Sequence, residues 1–341
     1  MSPTMEDVAR RAGVSKSTVS MALRDKPSVS DALKARIVRA AAELGYEPGG
    51  RGREAEHAPL AFTLIYHTTQ PLDEPEGVTL GYVNGVRAFA RERGIHLTIL
   101  TDDARQDRPS ISLPILAEDV QTDGLIIIGT QVNRKSPFIP WAVERGIPIV
   151  ALSRRWPGGP VSTVSQDHEE QARIAMEHLI ALGHRHIGFV ARTANMDFEW
   201  FAARVSCHHR ALDQAGLPYD EGLVAVDEDG RVAAKALLSR HPEVTAIMAI
   251  YDRVAIDVMR GLRELGLRIP EDISVVGLDN ANPSPEGYPA LTTVGFSHDH
   301  LGYLGAELLW RKLQDPEIGH AHIILHSHLV ERSSCARRQE R

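Results

Sequence analysis

The sequence predicts an α/β protein in which a small three-helix head precedes a two-lobed core of parallel, doubly wound sheets. Three observations lead there. The chain has 341 residues, too many for one domain at roughly 100 to 200 residues each. From Leu60 onward, short apolar runs alternate with helix-period segments in two successive series, the pattern of βα units whose crossovers make parallel sheets. Charge is also split. Residues 1–53 hold ten Lys or Arg against six Asp or Glu, a balance of +4, so the net −7 of the chain leaves −11 on the remainder. A basic head on an acidic body suits a module that touches phosphate joined to one that does not, although a solvated basic face gives the same count.

Composition removes other classes. With 43% hydrophobic, 24% charged and 5% aromatic residues, the chain is neither disordered nor collagen-like nor a coiled coil. It has no run of about 18 apolar residues to span a membrane. Its start, Met1-Ser2-Pro3-Thr4-Met5-Glu6-Asp7, lacks the basic-then-apolar pattern of an export signal, so the expected location is cytoplasmic. Cys207 and Cys335 are too few for a disulfide framework or a four-thiolate zinc site.

The head begins with Thr4 as N-cap, and Asp7 is placed to reach back. Val8, Ala9 and Ala12 form one apolar stripe before Gly13 ends the helix. Ser15 caps a second helix whose Val19, Ala22 and Leu23 face inward, leaving Lys16, Ser17, Ser20 and Met21 outside. Two short helices joined by a Gly-containing turn make a helix-turn-helix, whose second helix enters the DNA major groove by its N-terminal end. Ser30 caps a third helix with Leu33, Ile37, Ala41 and Leu44 on its buried face.

The core elements follow in order. Strands are expected at Leu60 to Tyr66, Ile95 to Leu100, Gly124 to Gly129 and Pro148 to Leu152, with helices at Tyr82 to Arg93 and Pro140 to Arg145. The second series is helix His168 to Leu182, strand Ile187 to Ala191, helix Phe201 to Ala215, strand Leu223 to Val226, helix Arg231 to Ser239, strand Ala246 to Ile250, helix Ala255 to Leu265 and strand Ile273 to Gly277. Two such series imply two lobes and a cleft, with ligands at the carboxyl ends of the strands. No Gly-x-Gly-x-x-Gly and no phosphate-binding Gly-Lys-Ser/Thr loop follows a strand, so no nucleotide cofactor is expected.

The run Asp7-Val8-Ala9-Arg10-Arg11-Ala12-Gly13-Val14-Ser15-Lys16-Ser17-Thr18-Val19-Ser20, with Ala42-Glu43-Leu44-Gly45-Tyr46-Glu47-Pro48, closely resembles the DNA-binding head of the lac repressor/gal repressor family of bacterial transcription regulators. The body resembles the same family, whose core looks like periplasmic sugar-binding proteins. The stretches that carry this are His178 to Arg185, Gly266 to Asp279 and Pro289 to Val294. The resemblance implies a head at 1–47, a Gly-rich linker at 48–59, a first lobe at 60–163 completed by 293–323, and a second lobe at 164–292 completed by 324–335. It implies that Lys16, Ser17 and Met21 reach base edges. Met21 stands where the family most often has Arg, and a methionine can touch a thymine methyl but cannot grip guanine with two hydrogen bonds. Thr4, Ser15, Thr18 and Ser20 are expected to cap helices and hold phosphates.

For the cleft, the resemblance implies effector contacts from Arg204, whose fork offers paired donors, and from Asp279, a carboxylate for sugar hydroxyls. Ser153 and Arg154 fall where the family often has Asp and Arg, and Tyr251 where it has Asn. Asp252 is expected to be structural. Trp200 or Phe201 could stack on a sugar ring or belong to the core. Cys207 and His208 replace a Gly and an aromatic, which implies an altered pocket floor.

Two other classes compete. The pairs His208-His209, His298/His300, His320/His322 and His326/His328 look like metal ligands, but no His-Glu-x-x-His or Cys-x-x-Cys accompanies them. A sugar-binding receptor without DNA regulation would have no use for the head. The sequence is therefore read as an effector-controlled transcriptional regulator, a repressor by resemblance and not an enzyme, with no cofactor and no metal. Its expected partners are a second copy of the chain, a palindromic double-stranded operator, and a sugar, sugar acid or nucleoside effector. In the linker, Gly49, Gly50 and Gly52 stand where relatives carry a short leucine-bearing helix, so this segment is expected to resist helix formation.

Overall fold

A computed structural model describes residues 5–15, 18–19, 22, 30–44, 59–68, 77–103, 110–128, 136–153, 159–196, 198–281 and 284–338. The chain divides into two compact units, residues 1–60 and 61–341.

In the head, α1 (Met5–Ala12) and α2 (Asp31–Leu44) pack together. Thr18, Val19 and Ala22 between them are helical. Gly13 turns the chain at φ +65°, a conformation that costs glycine little. The core is Val8, Ala9, Ala12, Val19, Ala22, Ile37, Ala40 and Ala41, with Leu33 and Leu44 at its edge, the stripes expected from the spacing. Arg11 ties α1 to α2 through Glu43 at 2.7 Å. Thr4, Lys16, Ser17, Ser20, Met21, Leu23 and the Gly-rich linker, like Arg154 in the body, lie outside the described residues.

The larger unit holds two sheets. The first uses β1 (Ala61–Thr68), β2 (His96–Asp103), β3 (Gly124–Ile128), β4 (Ile149–Leu152), β5 (Ser162–Gln166) and β11 (His322–Leu325) in the order β11-β5-β4-β3-β1-β2, every pair parallel. The second uses β6 (Ile187–Arg192), β7 (Val224–Asp227), β8 (Ala246–Ala249), β9 (Ser274–Asp279), β10 (Thr292–Gly295) and β12 (His328–Val330) in the order β12-β10-β9-β8-β6-β7. Only its β10–β12 pair is antiparallel. Strands such as β3 (Gly-Leu-Ile-Ile-Ile) and β4 (Ile-Val-Ala-Leu) are buried end to end, because parallel sheets are covered on both faces.

The helices of the first lobe are α3 (Gly77–Arg93), α4 (Ser112–Glu118), α5 (Phe138–Glu144) and α10 (His298–Gln314). Those of the second are α6 (His168–Ala181), α7 (Glu199–Gln214), α8 (Gly230–Arg240) and α9 (Asp252–Glu264). Helices α3 and α10 cross closely because Gly85 lies against the Asp299 carbonyl and Gly302 against that of Tyr82, where a Cβ would collide with backbone. Phe89 of α3 packs edge-on against Tyr303 of α10, ring centroids 5.2 Å apart.

The chain exchanges sheets three times: after Gln166 through Asp167, after Gly295 through Phe296 and Ser297, and after Leu325 through His326 and Ser327. Each exchange falls a few residues beyond the expected 163, 293 and 324, because the strand containing that position completes its pairing first. Asp167 caps α6, accepting from the N–H of Glu169 at 2.9 Å and of Glu170 at 3.1 Å.

Candidate functional site

The three crossovers define where a ligand can lie. Strands β5 and β11 end at crossovers, and every strand of the first sheet runs parallel to them, so that sheet presents its carboxyl ends to the hinge. Strand β10 also ends at a crossover and parallels β9, so the second sheet does the same. The cleft between the lobes is therefore lined by the carboxyl ends of both sheets, the usual place for a ligand in such folds.

Arg204 sits there, on α7 and only 2% exposed. Its Nη1 donates to the Ile250 carbonyl at 2.6 Å, at the end of β8. Its Nη2 donates to Gln171 Oε1 at 2.8 Å and to Asp279 Oδ1 at 3.1 Å. Gln171 closes the triangle, donating to the same Oδ1 at 3.2 Å. A buried guanidinium needs this partnering, since an uncompensated charge out of water costs several kcal/mol. The structure thus joins Arg204 and Asp279, which are far apart in sequence.

Asp279 holds φ +92° and Asn280 φ +51°. Such a turn persists only where its surroundings impose it, and Asp252 does so. Its Oδ1 accepts from Thr293 Oγ1 at 2.6 Å and its Oδ2 from the Ala281 N–H at 2.7 Å. Asp252 is thus a structural residue, as expected, and it aims the carboxylate of Asp279 rather than facing the cleft itself.

An aromatic wall flanks the pair. Trp200 stacks on Phe198 (centroids 5.2 Å apart, 8° between planes) and meets Tyr251 edge-on at 6.4 Å. Arg204 Cζ lies 5.3 Å from the Trp200 ring centroid. Phe201, by contrast, packs against buried Phe189 in the core. Cys207 and His208 do not form a pocket floor. They lie one helical turn beyond Arg204, away from the strand ends, where Cys207 joins the core of the second lobe and the His208 ring bonds the Ile187 carbonyl at 2.9 Å.

Gln171, His168 and Phe198 complete the cluster. The missed signal for Gln171 was a polar side chain on the apolar face of α6 shared with Ala172, Ala175 and Met176, all buried. His168 lies 3.4 Å from Arg204 Nη2, and its pKa is pushed down to about 3, first by burial and then by the Arg204 charge, so its ring is neutral. In the first lobe, Ser153 is buried at the end of β4 with φ +65° and lies 3.4 Å from the Gln166 amide. The Nε of Arg204 and the Nε1 of Trp200 are buried without a hydrogen-bond partner among the described residues.

Several of the paired histidines make other contacts. His322 meets Thr163 Oγ1 at 2.9 Å, His326 meets Glu170 at 2.9 Å, and His209 stacks on Tyr219 at 3.9 Å. Among the described residues no three His, Cys, Asp or Glu side chains come together to hold a metal, and no helix is long and apolar enough to cross a membrane. In the head, Ser15 Oγ accepts from the Thr18 N–H at 3.1 Å and lies 2.7 Å from the Thr18 hydroxyl, so both side chains serve the start of the second helix.

Residues 4–49 match the bacterial regulatory proteins of the lacI family, and residues 176–335 match a periplasmic binding protein-like domain. The HTH-type transcriptional regulator CelR of Thermobifida fusca is 30% identical over 340 residues, covering 97% of this chain and 98% of that protein. The chain belongs to the lacI family. The HTH-type transcriptional repressor CytR of Escherichia coli K12 is 27% identical over 345 residues, covering 97% of this chain and 96% of its own length. Among solved structures, a transcriptional regulator CelR–cellobiose complex superimposes with TM-score 0.68 at 30% identity, covering 97% of this chain and 99% of that one. A lac repressor dimer bound to operator and an anti-inducer shares the fold at TM-score 0.65, 23% identity, 98% of this chain and all of that one. The relatives named here are transcriptional regulators, not enzymes.

Proposed function

We propose that this lacI-family chain is a cytoplasmic, homodimeric transcriptional repressor that binds a palindromic operator through its heads and senses a sugar or sugar-derived effector between its lobes. The observation that carries the reading is the buried Arg204–Asp279 pair at the hinge-facing strand ends, in a chain whose head matches lacI-family heads. Hydroxyl groups are what such a pair recognises, because the carboxylate accepts and the guanidinium donates. Both bonds to Asp279 fall on Oδ1, which leaves Oδ2 for an effector hydroxyl. Trp200 and Tyr251 supply a face for a ring, and Ser153 and Arg154 the contacts from the first lobe. A ligand held by both lobes shifts their arrangement only through its different affinities for the two states.

On the DNA side, Lys16, Ser17 and Met21 read bases, while Thr4, Ser15, Thr18 and Ser20 cap helices and hold phosphates. Two heads on one dimer gain affinity through effective concentration. Exposed apolar side chains support a second copy on the first lobe, where Leu80 of α3, Ile99 of the edge strand β2, and Ile111 and Ile115 at α4 are each 43% exposed or more.

The test is selection of operator sequences from a random duplex pool with the purified protein, followed by a thermal-shift screen of sugars, sugar acids and nucleosides. A ligand that binds only the folded form raises the midpoint by mass action. Recovery of a two-fold symmetric site, and a ligand that changes its affinity, is the expected result. Enrichment of no site, or a stabilising ligand with no effect on DNA binding, would overturn the reading.

A further inference from the structure

The donors of Arg204 are turned into the protein. Its Nη1 gives to the Ile250 carbonyl, and its Nη2 faces three acceptors, Gln171 Oε1 at 2.8 Å, Asp279 Oδ1 at 3.1 Å and His168 Nδ1 at 3.4 Å. Its Nε is enclosed without a partner among the described residues, in a group whose Cζ lies 5.3 Å from the Trp200 ring centroid. A guanidinium so placed orients its neighbours and has little left to offer a ligand. Two of those neighbours keep an accessible side: Asp279, whose bonds from Arg204 and Gln171 both fall on Oδ1, and His168, which is only partly buried. We propose that His168 is a specificity-determining effector contact, its Nε2–H and Asp279 Oδ2 together demanding a hydroxyl, or two neighbouring hydroxyls, that donates to the carboxylate and accepts from the imidazole. The inference rests on the reading of the cleft as the effector site, and it names the group that must meet the second lobe.

The tautomer of His168 follows from Arg204. Arginine has donors and no acceptor, so Nη2 must meet the lone pair of Nδ1 and not an N–H. In a neutral ring the proton is then on Nε2. The ring is neutral, because burial and then the Arg204 charge push its pKa down to about 3. With Nδ1 turned inward, the edge that reaches solvent is the one carrying Nε2. Place agrees with chemistry. His168 opens α6 directly after the first crossover and Asp279 ends β9, so both stand at the hinge-facing end of the second lobe, and both bond the same Nη2. The His168 ring centroid lies 6.3 Å from that of Trp200, so the donor sits beside the aromatic wall.

An ionised carboxylate only accepts, and the Nε2–H of a neutral imidazole only donates. A hydroxyl does both. A carboxylate or phosphate in its place would face Asp279 with nothing to donate, and an ammonium would leave the Nε2–H unmet. A site of this kind rejects an analogue lacking the matching group, because its own polar groups are then left unpaired. Free saccharides and the ribose of a nucleoside both carry the hydroxyl chemistry, so the probes must separate those two sources.

The experiment is calorimetric titration of the full-length protein with glucose, galactose, ribose, maltose and adenosine, followed by the singly deoxygenated analogues of each probe that binds. The expected result is that one hydroxyl position, or two neighbouring ones, costs about tenfold in affinity when removed. This series uses the unaltered protein, so it does not depend on how any variant folds. On His168→Leu the parent probe should bind about tenfold more weakly, and the same deoxygenation should then cost little more, because both changes remove one contact. His168→Gln, whose amide carries an acceptor and a donor as the ring does, should restore both the affinity and the penalty. Binding by the saccharides assigns the hydroxyls to a free sugar, and binding by adenosine alone assigns them to a ribose. Wild-type affinity in His168→Leu, or equal weakness of Leu and Gln with the deoxygenation penalties intact, overturns the role of His168. Loss of binding in Asp279→Asn then leaves the effector cleft standing. A probe whose affinity responds to neither His168→Leu nor Asp279→Asn overturns the reading of the cleft itself. Binding by no probe overturns both.

Discussion

Replacing Asp279 separates the contributions that hold the candidate site together. The residue combines a charge opposite Arg204, two accepted hydrogen bonds and a backbone at φ +92°. Its side chain is 17% exposed against 2% for Arg204, so solvent screens the pair little. Asp279→Asn keeps an acceptor and a residue type that tolerates the left-handed region, and removes only the charge. The difference between charged and neutral hydrogen bonds puts its cost at about 1–2 kcal/mol. Asp279→Ala strands the buried guanidinium as well, for about 3–5 kcal/mol. Asp279→Gly should recover about 1 kcal/mol of that by relieving the backbone. For a unit of this size, about 2 °C of melting temperature accompanies each kcal/mol. Ligand-free thermal unfolding should therefore rank wild type, Asn, Gly and Ala from most to least stable, with Ala about 6–10 °C below wild type. All three variants should lose effector binding by calorimetry. An Asn variant as unstable as Ala, or an Ala variant within about 2 °C of wild type, would refute the view that a buried charge pair governs this corner of the fold.

Folded His168 titrates at about 3, below its ordinary 6.5, so between those values the unfolded chain binds the proton first and stability is lost as pH falls. Unfolding free energies from urea titrations between about pH 7 and 4 should fall less steeply in His168→Gln than in wild type, by up to about 1 kcal/mol per pH unit below 6. Gly85→Ala should drive α3 from α10, because the new methyl meets the Asp299 carbonyl. A loss of at least about 1–3 kcal/mol is expected in urea unfolding. Ser15→Ala removes the acceptor of the Thr18 N–H and should cost about 1 kcal/mol of head stability, read as weaker operator binding by anisotropy. With Gly49, Gly50 and Gly52 in the linker and no leucine to wedge, the bound operator should show little central bending in circular-permutation gel shifts, and replacing the linker by Gly-Ser should change the bend little.

Which elements could be read from the sequence depended on whether periodicity was matched by burial. Strand β6, expected at Ile187 to Ala191, occupies Ile187–Arg192, and helix α9, expected at Ala255 to Leu265, occupies Asp252–Glu264. In both, the apolar spacing is the buried face. Strand β5 gave no such signal, since Ser162-Thr163-Val164-Ser165-Gln166 is largely polar, yet all five residues are buried. The structure explains why this is tolerated. Ser162 Oγ accepts from the Ala321 N–H at 3.1 Å and Thr163 Oγ1 meets His322 at 2.9 Å, so two of the three hydroxyls that would be costly alone are bonded toward the neighbouring strand, while the Ser165 hydroxyl has no partner among the described residues. Those partners are about 160 residues away in sequence, beyond the reach of any local pattern.

The same distance limited the reading of the site. Arg204 and Asp279 are candidates because each matches a position of the family pattern, one near the start of a helix and the other ending a strand. Gln171 and His168 belong to α6, whose own sequence gives no reason to look toward residue 279. What brings them together is strand order. With β9 beside β8 and β8 beside β6, and with α6 packed against α7 and β9, the first turn of α6, the first half of α7 and the end of β9 must converge where β5 crosses into the second lobe. Gln171 then has a chemical reason to be polar. It accepts from Arg204 and donates to Asp279, which fixes the distance between the two charges, and a residue with only one of those functions could not bridge them. Gln171→Glu would place a second carboxylate against Asp279 and Gln171→Leu would leave both partners short of a bond, so each should weaken effector binding while Arg204 and Asp279 remain in place. Calorimetric titration of either variant with wild-type affinity would show that the bridge is dispensable.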